Sequence, residues 1–331
     1  DANLVNAWGL AFAPSGHAWV NANGTGLSQV YGAQGELQLS VSIPAPPSSC
    51  TSSAPAVSAP TGNVFNPDAD TFNGDTFIFV TEDGTIAGWQ SSFGATARLR
   101  VDNSQSTALY KGVTLSRTVE TKMHADSRHD GGARDRGTRL YAANFHAGSI
   151  DVFNRRYEAV QAEGGFVDSS LPMGYAPFNV QAIDAGIIVT YALQGADKKD
   201  DVKGLGNGFV DLFDRRGFLI QRLISNGALD SPWGIAFAPS DFGGLGGRLL
   251  VGNFGNGMIN AYSVDFSQGS QIPVEFVGAL GTSSGTPLVI DGLWALRFGP
   301  GAAGFGTNQL FYTAGPNDEA HGLFGRIDAQ Q

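Results

Sequence analysis

The chain has 331 residues, a length that permits one large all-β domain or two average domains. Its 46 glycines and 15 prolines supply turn residues throughout, and no uncharged apolar run approaches the ~18 residues that a membrane-spanning helix needs. The 30 acidic residues outnumber the 20 basic ones, and the resulting net charge of −10 would repel nucleic-acid phosphates and anionic lipid. We therefore expect neither a nucleic-acid partner nor a membrane span.

Several features of the composition favour an extracellular location. The chain opens with the polar Asp1-Ala2-Asn3 and shows no signal-peptide pattern, which suits the processed end of a secreted protein. An acidic pI of about 4.8, few lysines, a loop rich in Ser, Pro and Ala at residues 43–60 and the glycosylation sequon Asn23-Gly24-Thr25 agree with this. The lone Cys50 can form neither an intrachain disulfide nor a thiolate metal cluster. Stability must therefore come from a packed core.

A segment near the N-terminus recurs along the chain. Asn6–Ser15 returns almost unchanged as Ser231–Ser240, and shorter or weaker copies occur four more times. The equivalent central positions of the six copies are Trp8, Thr61, Lys111, Phe178, Trp233 and Trp294. They are 50 to 67 residues apart. This period is close to the ~40 to 50 residues of a propeller blade with loop insertions.

A second motif follows each copy, an apolar strand that ends in a small polar turn and resumes as another strand. We align Glu82, Asn144 and Asn253 as equivalent residues of three such turns. Alternation of apolar and polar residues, as in Ser149–Phe153, indicates short antiparallel strands, and no segment keeps a helical period for three turns. A pair of β-sandwiches would not explain one motif spread evenly along the chain.

The repeats therefore predict an all-β fold, a six-bladed β-propeller that forms a single domain over residues 1–331. Its blades are expected to start near residues 6, 60, 110, 176, 231 and 292. The last blade supplies strands near residues 293–298, 309–313 and 323–327, so its fourth, outer strand is unaccounted for. Either residues 1–5 complete this blade, or an upstream strand is missing.

The repeats also carry a resemblance to known propellers. The segments that carry it are Asn3–Gly9, Thr81–Ile86, Ala143–Gly148, Gly206–Asp211 and Thr313–Leu323. They resemble NHL-like six-bladed propellers and, more closely, an uncharacterised family of secreted propellers often found in bacteria with sorting-signal tails. The resemblance implies the fold and secretion, but no established chemistry. An insert at residues 119–137, rich in Arg, Asp and His, departs from the pattern, and we expect it to form a mobile loop.

The two motifs are expected to meet at one mouth of the central axis, where a small molecule, a glycan or a protein would bind. The candidate ligand-binding residues are Trp8, Phe178, Tyr191, Trp233 and Trp294. Aromatic side chains at one repeated position are also typical of core packing. The pattern alone leaves both roles open for them.

A divalent metal is a second possibility at this mouth. Glu82, Asn144 and Asn253 could offer oxygen ligands to Ca²⁺ from three blades. Gluconolactonase-like and paraoxonase-like propellers are similar in using acidic and Asn side chains around an axial divalent metal. Alternatively, each Asn only satisfies a tight turn through its own side chain.

His146 and His321 are the candidate catalytic residues. Their blades are opposite one another in a six-fold ring, so their loops would have to fold over the axis to bring the imidazoles together. With Asp318 or Glu319 they could then bind Zn²⁺ or Cu²⁺. The alternative is that both are ordinary loop residues.

Three functions follow from these candidates. The first is a non-catalytic extracellular binding or scaffold protein, which the absence of a nucleophile motif such as Gly-x-Ser-x-Gly favours. The second is a metal-dependent hydrolase of the lactonase type, in which His146 or His321 moves protons. The third is redox chemistry at a two-His metal site. The sequence does not decide whether the protein is an enzyme.

Overall fold

The computed structural model describes residues 1–47, 57–117, 137–267 and 271–329. Six antiparallel sheets succeed one another along the chain, which confirms the predicted all-β, six-bladed propeller. The helices that lie wholly within the described residues are five 3₁₀ turns, Asn23–Thr25, Phe72–Gly74, Ser91–Phe93, Ser104–Ser106 and Gly243–Leu245. In the same ranges we find no helix with the length and apolar character that crossing a membrane requires.

Each blade is built from consecutive strands, ordered from the axis outwards. Blade 1 contains β1 (Ala7–Phe12), β2 (Ala18–Ala22), β3 (Leu27–Tyr31) and β4 (Leu37–Ser42). Blade 2 contains β5 (Pro60–Phe65), β6 (Phe77–Thr81), β7 (Thr85–Trp89) and β8 (Arg98–Asp102). Blade 3 contains β9 (Tyr110–Arg117), β10 (Thr138–Asn144), β11 (Ser149–Asn154) and β12 (Ala159–Val160).

The second half of the ring repeats this order. Blade 4 contains β13 (Tyr175–Ile183), β14 (Gly186–Leu193), β15 (Phe209–Phe213) and β16 (Leu219–Ser225). Blade 5 contains β17 (Pro232–Phe237), β18 (Leu249–Asn253), β19 (Ile259–Val264) and β20 (Val274–Ala279). Blade 6 contains β21 (Leu293–Phe298), β22 (Gln309–Ala314) and β23 (Leu323–Asp328).

The inner strands form a closed ring, because each contacts the next around the axis and β21 contacts β1. Five clusters of buried apolar side chains fill the spaces between neighbouring blades, and a sixth joins blades 6 and 1 and reaches one end of the axis. Both faces of a blade are therefore covered. For this reason middle strands such as β6 are buried along their whole length, whereas outer strands such as β23 are partly exposed.

Glycines allow the inner strands to approach one another closely. A Cβ added at Gly62 would lie 2.9 Å from Val113 N, and one added at Gly234 would lie 2.7 Å from Trp294 O. Gly62 and Gly234 each follow the second residue of their inner strand, so they hold the same position in two blades. A side chain at this position would push two neighbouring inner strands apart.

The N-terminal residues close the ring without adding a strand to blade 6. Within the described residues β23 pairs only with β22, so the outer position of this sheet is not filled by residues 1–5. Instead, Asn6 N donates to His321 O at 3.0 Å, and Gly24 N donates to Val5 O at 3.1 Å. The N-terminal segment thus bridges the last turn of blade 6 and the β2–β3 turn of blade 1.

Two sequence expectations concern residues outside the described ranges. The first is the prediction that Cys50 forms no intrachain disulfide. The second is the mobile loop predicted at residues 119–137, of which only Gly137 belongs to the described residues.

Candidate binding site at the axial mouth

A buried ion pair lies at the mouth of the axis. Lys111 is the second residue of β9, the position that Trp8 holds in β1. Its Nζ donates to Oε1 of Glu82, the residue that follows β6, at 2.6 Å. Only 3% of the Lys111 side chain and 12% of the Glu82 side chain are exposed. Removing either partner would leave the other charge buried without compensation.

Three aromatic rings stack across the axis, with a lysine at each end. Trp8 and Trp294 stack with centroids 3.6 Å apart, and Phe254 stacks on the other face of Trp294 at 3.9 Å. Lys111 Nζ lies 4.9 Å from the Trp8 ring centroid, and Lys203 Nζ lies 4.2 Å from that of Phe254. Each ammonium is attracted to the negative face of its ring. We call these five residues the capped stack.

Two asparagines connect a second carboxylate to the ion pair. Asn6 Oδ1 accepts a hydrogen bond from Trp294 Nε1 at 2.8 Å, and Asn6 Nδ2 donates to Glu319 Oε2 at 3.0 Å and to Asn23 Oδ1 at 3.4 Å. Asn23 Nδ2 in turn donates to Glu82 Oε2 at 3.1 Å. A chain of hydrogen bonds therefore runs from blade 6 through blade 1 to blade 2. The amide of the sequon residue Asn23 is engaged inside this chain.

The two carboxylates have opposite pKa shifts. Burial raises the pKa of Glu82, but the charge and the hydrogen bond of Lys111 outweigh it, so the pKa lies below its ordinary value. Burial also raises the pKa of Glu319, and the negative charge of Glu82 adds to this, so that it reaches about 7 despite the opposing charge of Lys111. Glu82 is thus ionised near neutral pH, whereas Glu319 exchanges a proton there.

The β14–β15 loop covers the mouth with further charges. Asp200 Oδ1 lies 3.9 Å from Lys111 Nζ, and 71% of the Asp200 side chain is exposed. Lys203 of the same loop caps Phe254. Asp83, beside Glu82, accepts a hydrogen bond from Ala59 N at 2.8 Å, and burial raises its pKa.

The structure confirms the expected blade position of the tryptophans. Trp8, Trp233 and Trp294 are the second residues of β1, β17 and β21, and all three are buried. Phe178 is buried in the same axial cluster. These side chains form the floor of the mouth by packing against one another. Their contact with a ligand stays a prediction.

Tyr191 lies elsewhere. It is buried in the cluster between blades 3 and 4, not in the axial cluster. Close by, Arg222 forms ion pairs with Asp168 and Asp211 inside blade 4. Burial, reinforced by the charge of Asp168, raises the pKa of Asp211 to about 7. This group of residues belongs to the blade interior.

The alignment of Glu82 with Asn144 and Asn253 is wrong by one residue. The first residue of the inner strand pairs with Asn144 in blade 3 and with Asn253 in blade 5, but with Thr81 in blade 2. Because side chains alternate along a strand, an offset of one residue turns the side chain to the other face. The true equivalents of Glu82 are Phe145 and Phe254, both of which lie in the axial cluster.

The predicted Ca²⁺ ligands do not fit a common site. Asn144 Oδ1 accepts hydrogen bonds from the backbone of Leu109 and Ala147, both at 3.2 Å, and Asn253 Nδ2 donates to a backbone carbonyl at 2.8 Å. Asn144 thus holds a turn, which was the alternative interpretation. Asn253 joins its own turn through Asn256 Oδ1 at 3.1 Å, while its Oδ1 has no hydrogen bond within the described residues. The Oε1 atom of Glu82, one of the predicted ligand atoms, accepts a hydrogen bond from Lys111 Nζ instead.

The two predicted histidines are not assembled into a metal centre. His146 is half-buried, whereas His321 and Asp318 are exposed. Across the four described ranges, no group of three or more His, Cys, Asp or Glu side chains is arranged to hold a metal ion. The catalytic role of either histidine stays a prediction. Of the residues proposed beside them, Glu319 alone faces Glu82 and Asn6.

The sequence reasoning missed several residues of this mouth. Lys111 was identified only as a repeat position. Asn6, Asn23 and Lys203 were not predicted as site residues. One signal was available, because a lysine at a position that is aromatic in four other blades demands a buried partner.

Comparison with known proteins extends the picture of the fold. No protein-family model matches the chain. Two uncharacterized proteins of Acanthamoeba polyphaga mimivirus are 27% and 26% identical to it, with 100% of this chain covered and 76% and 82% of theirs. The solved structure of virginiamycin B lyase from Staphylococcus aureus matches with a TM-score of 0.52 at 9% identity, covering 100% of this chain and 86% of that one. A glucose dehydrogenase matches with a TM-score of 0.56 at 12% identity over 99% and 98% of the two chains. These structural matches establish the fold alone.

Proposed function

We propose that this protein is an extracellular binding propeller whose axial mouth holds a small polar ligand with a protonated amine. The observation that carries the proposal is the state of Glu319. This carboxylate is half-buried, and Asn6 donates a hydrogen bond to it, but no lysine or arginine of the described residues forms an ion pair with it. A cation from outside would supply the missing partner.

The surroundings of Glu319 support a cationic rather than an anionic ligand. The lysine nearest to the two carboxylates, Lys111, is already paired with Glu82 at 2.6 Å. Lys203 lies over the Phe254 ring, at the other end of the stack from Lys111. A bound ammonium would also relieve the repulsion between Glu319 and Glu82. The aromatic floor offers apolar surface to the rest of the ligand.

Calorimetric titration can test the ligand class. We expect glucosamine to bind at pH 6.5 and glucose, its neutral counterpart, to give no binding heat. Since the pKa of Glu319 is about 7, a bound cation should expel its proton. Titrations in two buffers with different ionisation enthalpies should then reveal proton release. At pH 8 this release should disappear.

Two variants locate the binding. Glu319→Gln keeps the shape of the side chain but removes its charge, and we expect at least a tenfold loss of affinity, about 1.4 kcal/mol. Asp328→Asn removes a carboxylate whose ion pair with Arg326 is exposed, and affinity should not change. Equal binding by wild type and Glu319→Gln, or equal binding of glucosamine and glucose, would refute the proposal.

A second candidate function is acid–base hydrolysis at the same mouth. It is favoured by the opposite pKa shifts of Glu82 and Glu319, since such a pair separates a permanent carboxylate from a proton donor. Turnover of an ester, lactone or glycoside substrate, lost in Glu319→Gln and centred near pH 7, would establish it. Binding without turnover would leave the first function.

The extracellular location is part of the proposal. The low lysine content and the net charge of −10 support it. Fractionation of a source culture, followed by detection of the protein with a specific antibody, tests it. Recovery from the washed cell interior alone would contradict the proposed location.

A further inference from the structure

A cationic side chain without an anionic partner lines the central channel on the far side of the aromatic floor. Arg297 of β21 donates from Nε to Leu10 O at 3.1 Å, and no carboxylate of the described residues pairs with its guanidinium. Burial alone lowers the pKa of Arg297. An arginine has five N–H donors, so most of its donor capacity remains unused here.

Two further donors lie at the same height in the channel. Thr114, Gln181 and Arg297 are each three residues beyond the repeat positions Lys111, Phe178 and Trp294. The sheet registers agree. The residue just before each repeat position pairs with Asn144, Tyr191 or Ala314, and the partners of Thr114, Gln181 and Arg297 each precede that residue by three positions. All three line the same cavity around the axis.

The donors at this level have capacity to spare. Thr114 Oγ1 accepts a hydrogen bond from Ala182 N at 3.0 Å, which leaves its proton for a second acceptor. The Gln181 side-chain amide makes no hydrogen bond within the described residues, and the side chain is half-buried. Because this amide is not fully buried, water or an external acceptor can reach it.

The remaining positions at this level are small and apolar. They are Ala11, Val64 and Ala236, which pack between neighbouring blades and bring no charge to the cavity. We propose that the central channel binds a small oxoanion, a carboxylate or an inorganic ion of similar size, at Arg297, Gln181 and Thr114. Guanidinium and carboxylate or phosphate match in geometry and can form two parallel hydrogen bonds. The narrow space between inner strands excludes a larger ligand.

This site is separate from the axial mouth. The buried tryptophans at the second inner-strand position lie between the two, so Glu319 and Arg297 belong to opposite sides of the floor. The proposed oxoanion site therefore does not depend on the proposed amine ligand, and either can be refuted without the other.

Calorimetric titration with sodium acetate, sodium phosphate and sodium chloride at constant ionic strength tests this proposal. We expect saturable binding of acetate or phosphate and none of chloride. Kosmotropic ions stabilise any folded protein, so saturable heat rather than a rise in melting temperature is the relevant signal.

Three variants complete the test. Arg297→Gln should weaken oxoanion binding at least tenfold. Gln181→Leu, which removes an amide that forms no hydrogen bond with the described part of the chain, should weaken it severalfold. The matched control Arg326→Gln, an exposed arginine in blade 6, should bind as wild type does. If Arg297→Gln fails to fold, Gln181→Leu alone decides. Unchanged affinity in the folded channel variants, or absence of saturable oxoanion binding by wild type, would overturn the proposal.

Discussion

Asn6 donates a hydrogen bond to Glu319 at 3.0 Å although the two residues are 313 positions apart in the chain. Asn6 also accepts the indole N–H of Trp294 and pairs through its backbone with His321. One residue thus joins the first blade to the last and touches the carboxylate that titrates near neutral pH. Closure of the ring and the charge of the mouth share the same hydrogen bonds.

The folded protein should lose stability as pH rises through 7. Glu319 has a pKa of about 7 in the folded state against an ordinary value of 4.5, so the folded state binds more protons between these values. Its contribution is therefore fully present below pH 4.5 and lost as pH rises through 7. We expect Glu319→Gln to match wild type near pH 5 and to exceed its free energy of unfolding by about 1–3 kcal/mol at pH 8.

Urea denaturation at pH 5, 6.5 and 8 measures this difference. Asp211 titrates in the same range, but it is present in both proteins and cancels in the comparison. A constant offset between the two stability profiles would show that Glu319 has an ordinary pKa.

Lys111→Ala should destabilise the protein strongly. The substitution leaves the carboxylate of Glu82 buried without its cation, for which a loss of about 3–5 kcal/mol is typical. Arg326→Ala is the control, because its ion pair with Asp328 is exposed and should contribute less than about 1 kcal/mol. Chemical denaturation near pH 7 compares the two. Similar small losses in both variants would mean that water solvates Glu82.

Gly234→Ala should loosen the ring between blades 5 and 6. The new Cβ would lie 2.7 Å from Trp294 O, and a shift of the backbone to avoid it should reduce the free energy of unfolding by about 1–3 kcal/mol. Gly244→Ala is the matched control, since a Cβ there meets no atom within 4 Å. Its effect should stay within about 0.5 kcal/mol. Thermal melting of the two variants side by side is sufficient, and equal melting temperatures would contradict the close approach.

Trp294→Phe should weaken both the stack and the closure. It shortens the ring between Trp8 and Phe254 and leaves Asn6 Oδ1 without its indole donor, so we expect a loss of about 2 kcal/mol. Phe276→Leu, at a side chain that is 55% exposed, is the control and should change little. Urea unfolding midpoints give the comparison. A Trp294→Phe protein as stable as wild type would assign the stack no role in stability.

The propeller could be predicted from sequence because its signal is repeated six times. Each inner strand begins within one residue of its predicted blade start, from Ala7 in blade 1 to Leu293 in blade 6. Short alternating segments between turns rich in Gly and Asn indicated the antiparallel strands. Because the other copies compensate for an error in one copy, the prediction of the fold does not depend on any single segment.

The site was harder to predict from sequence, because it depends on the face of the strand to which each side chain points. A shift of one residue placed Glu82 beside Asn144 and Asn253 in the alignment, and only the register of the sheet shows that Thr81 holds that position. The contact of Asn6 with Glu319 spans the whole chain, and no local pattern announces it. Lys111 was the exception, since its charge interrupts an otherwise largely aromatic series.

The capped stack draws its members from five blades. Trp8 comes from blade 1, Lys111 from blade 3, Phe254 follows β18 of blade 5, Trp294 comes from blade 6, and Lys203 belongs to the loop of blade 4. Two of the chain's five tryptophans therefore sit where any relative movement of the blades changes their overlap. The intrinsic fluorescence of these indoles should therefore report on the packing of the whole ring. It should change when two neighbouring blades separate, even if the sheet of each blade remains intact.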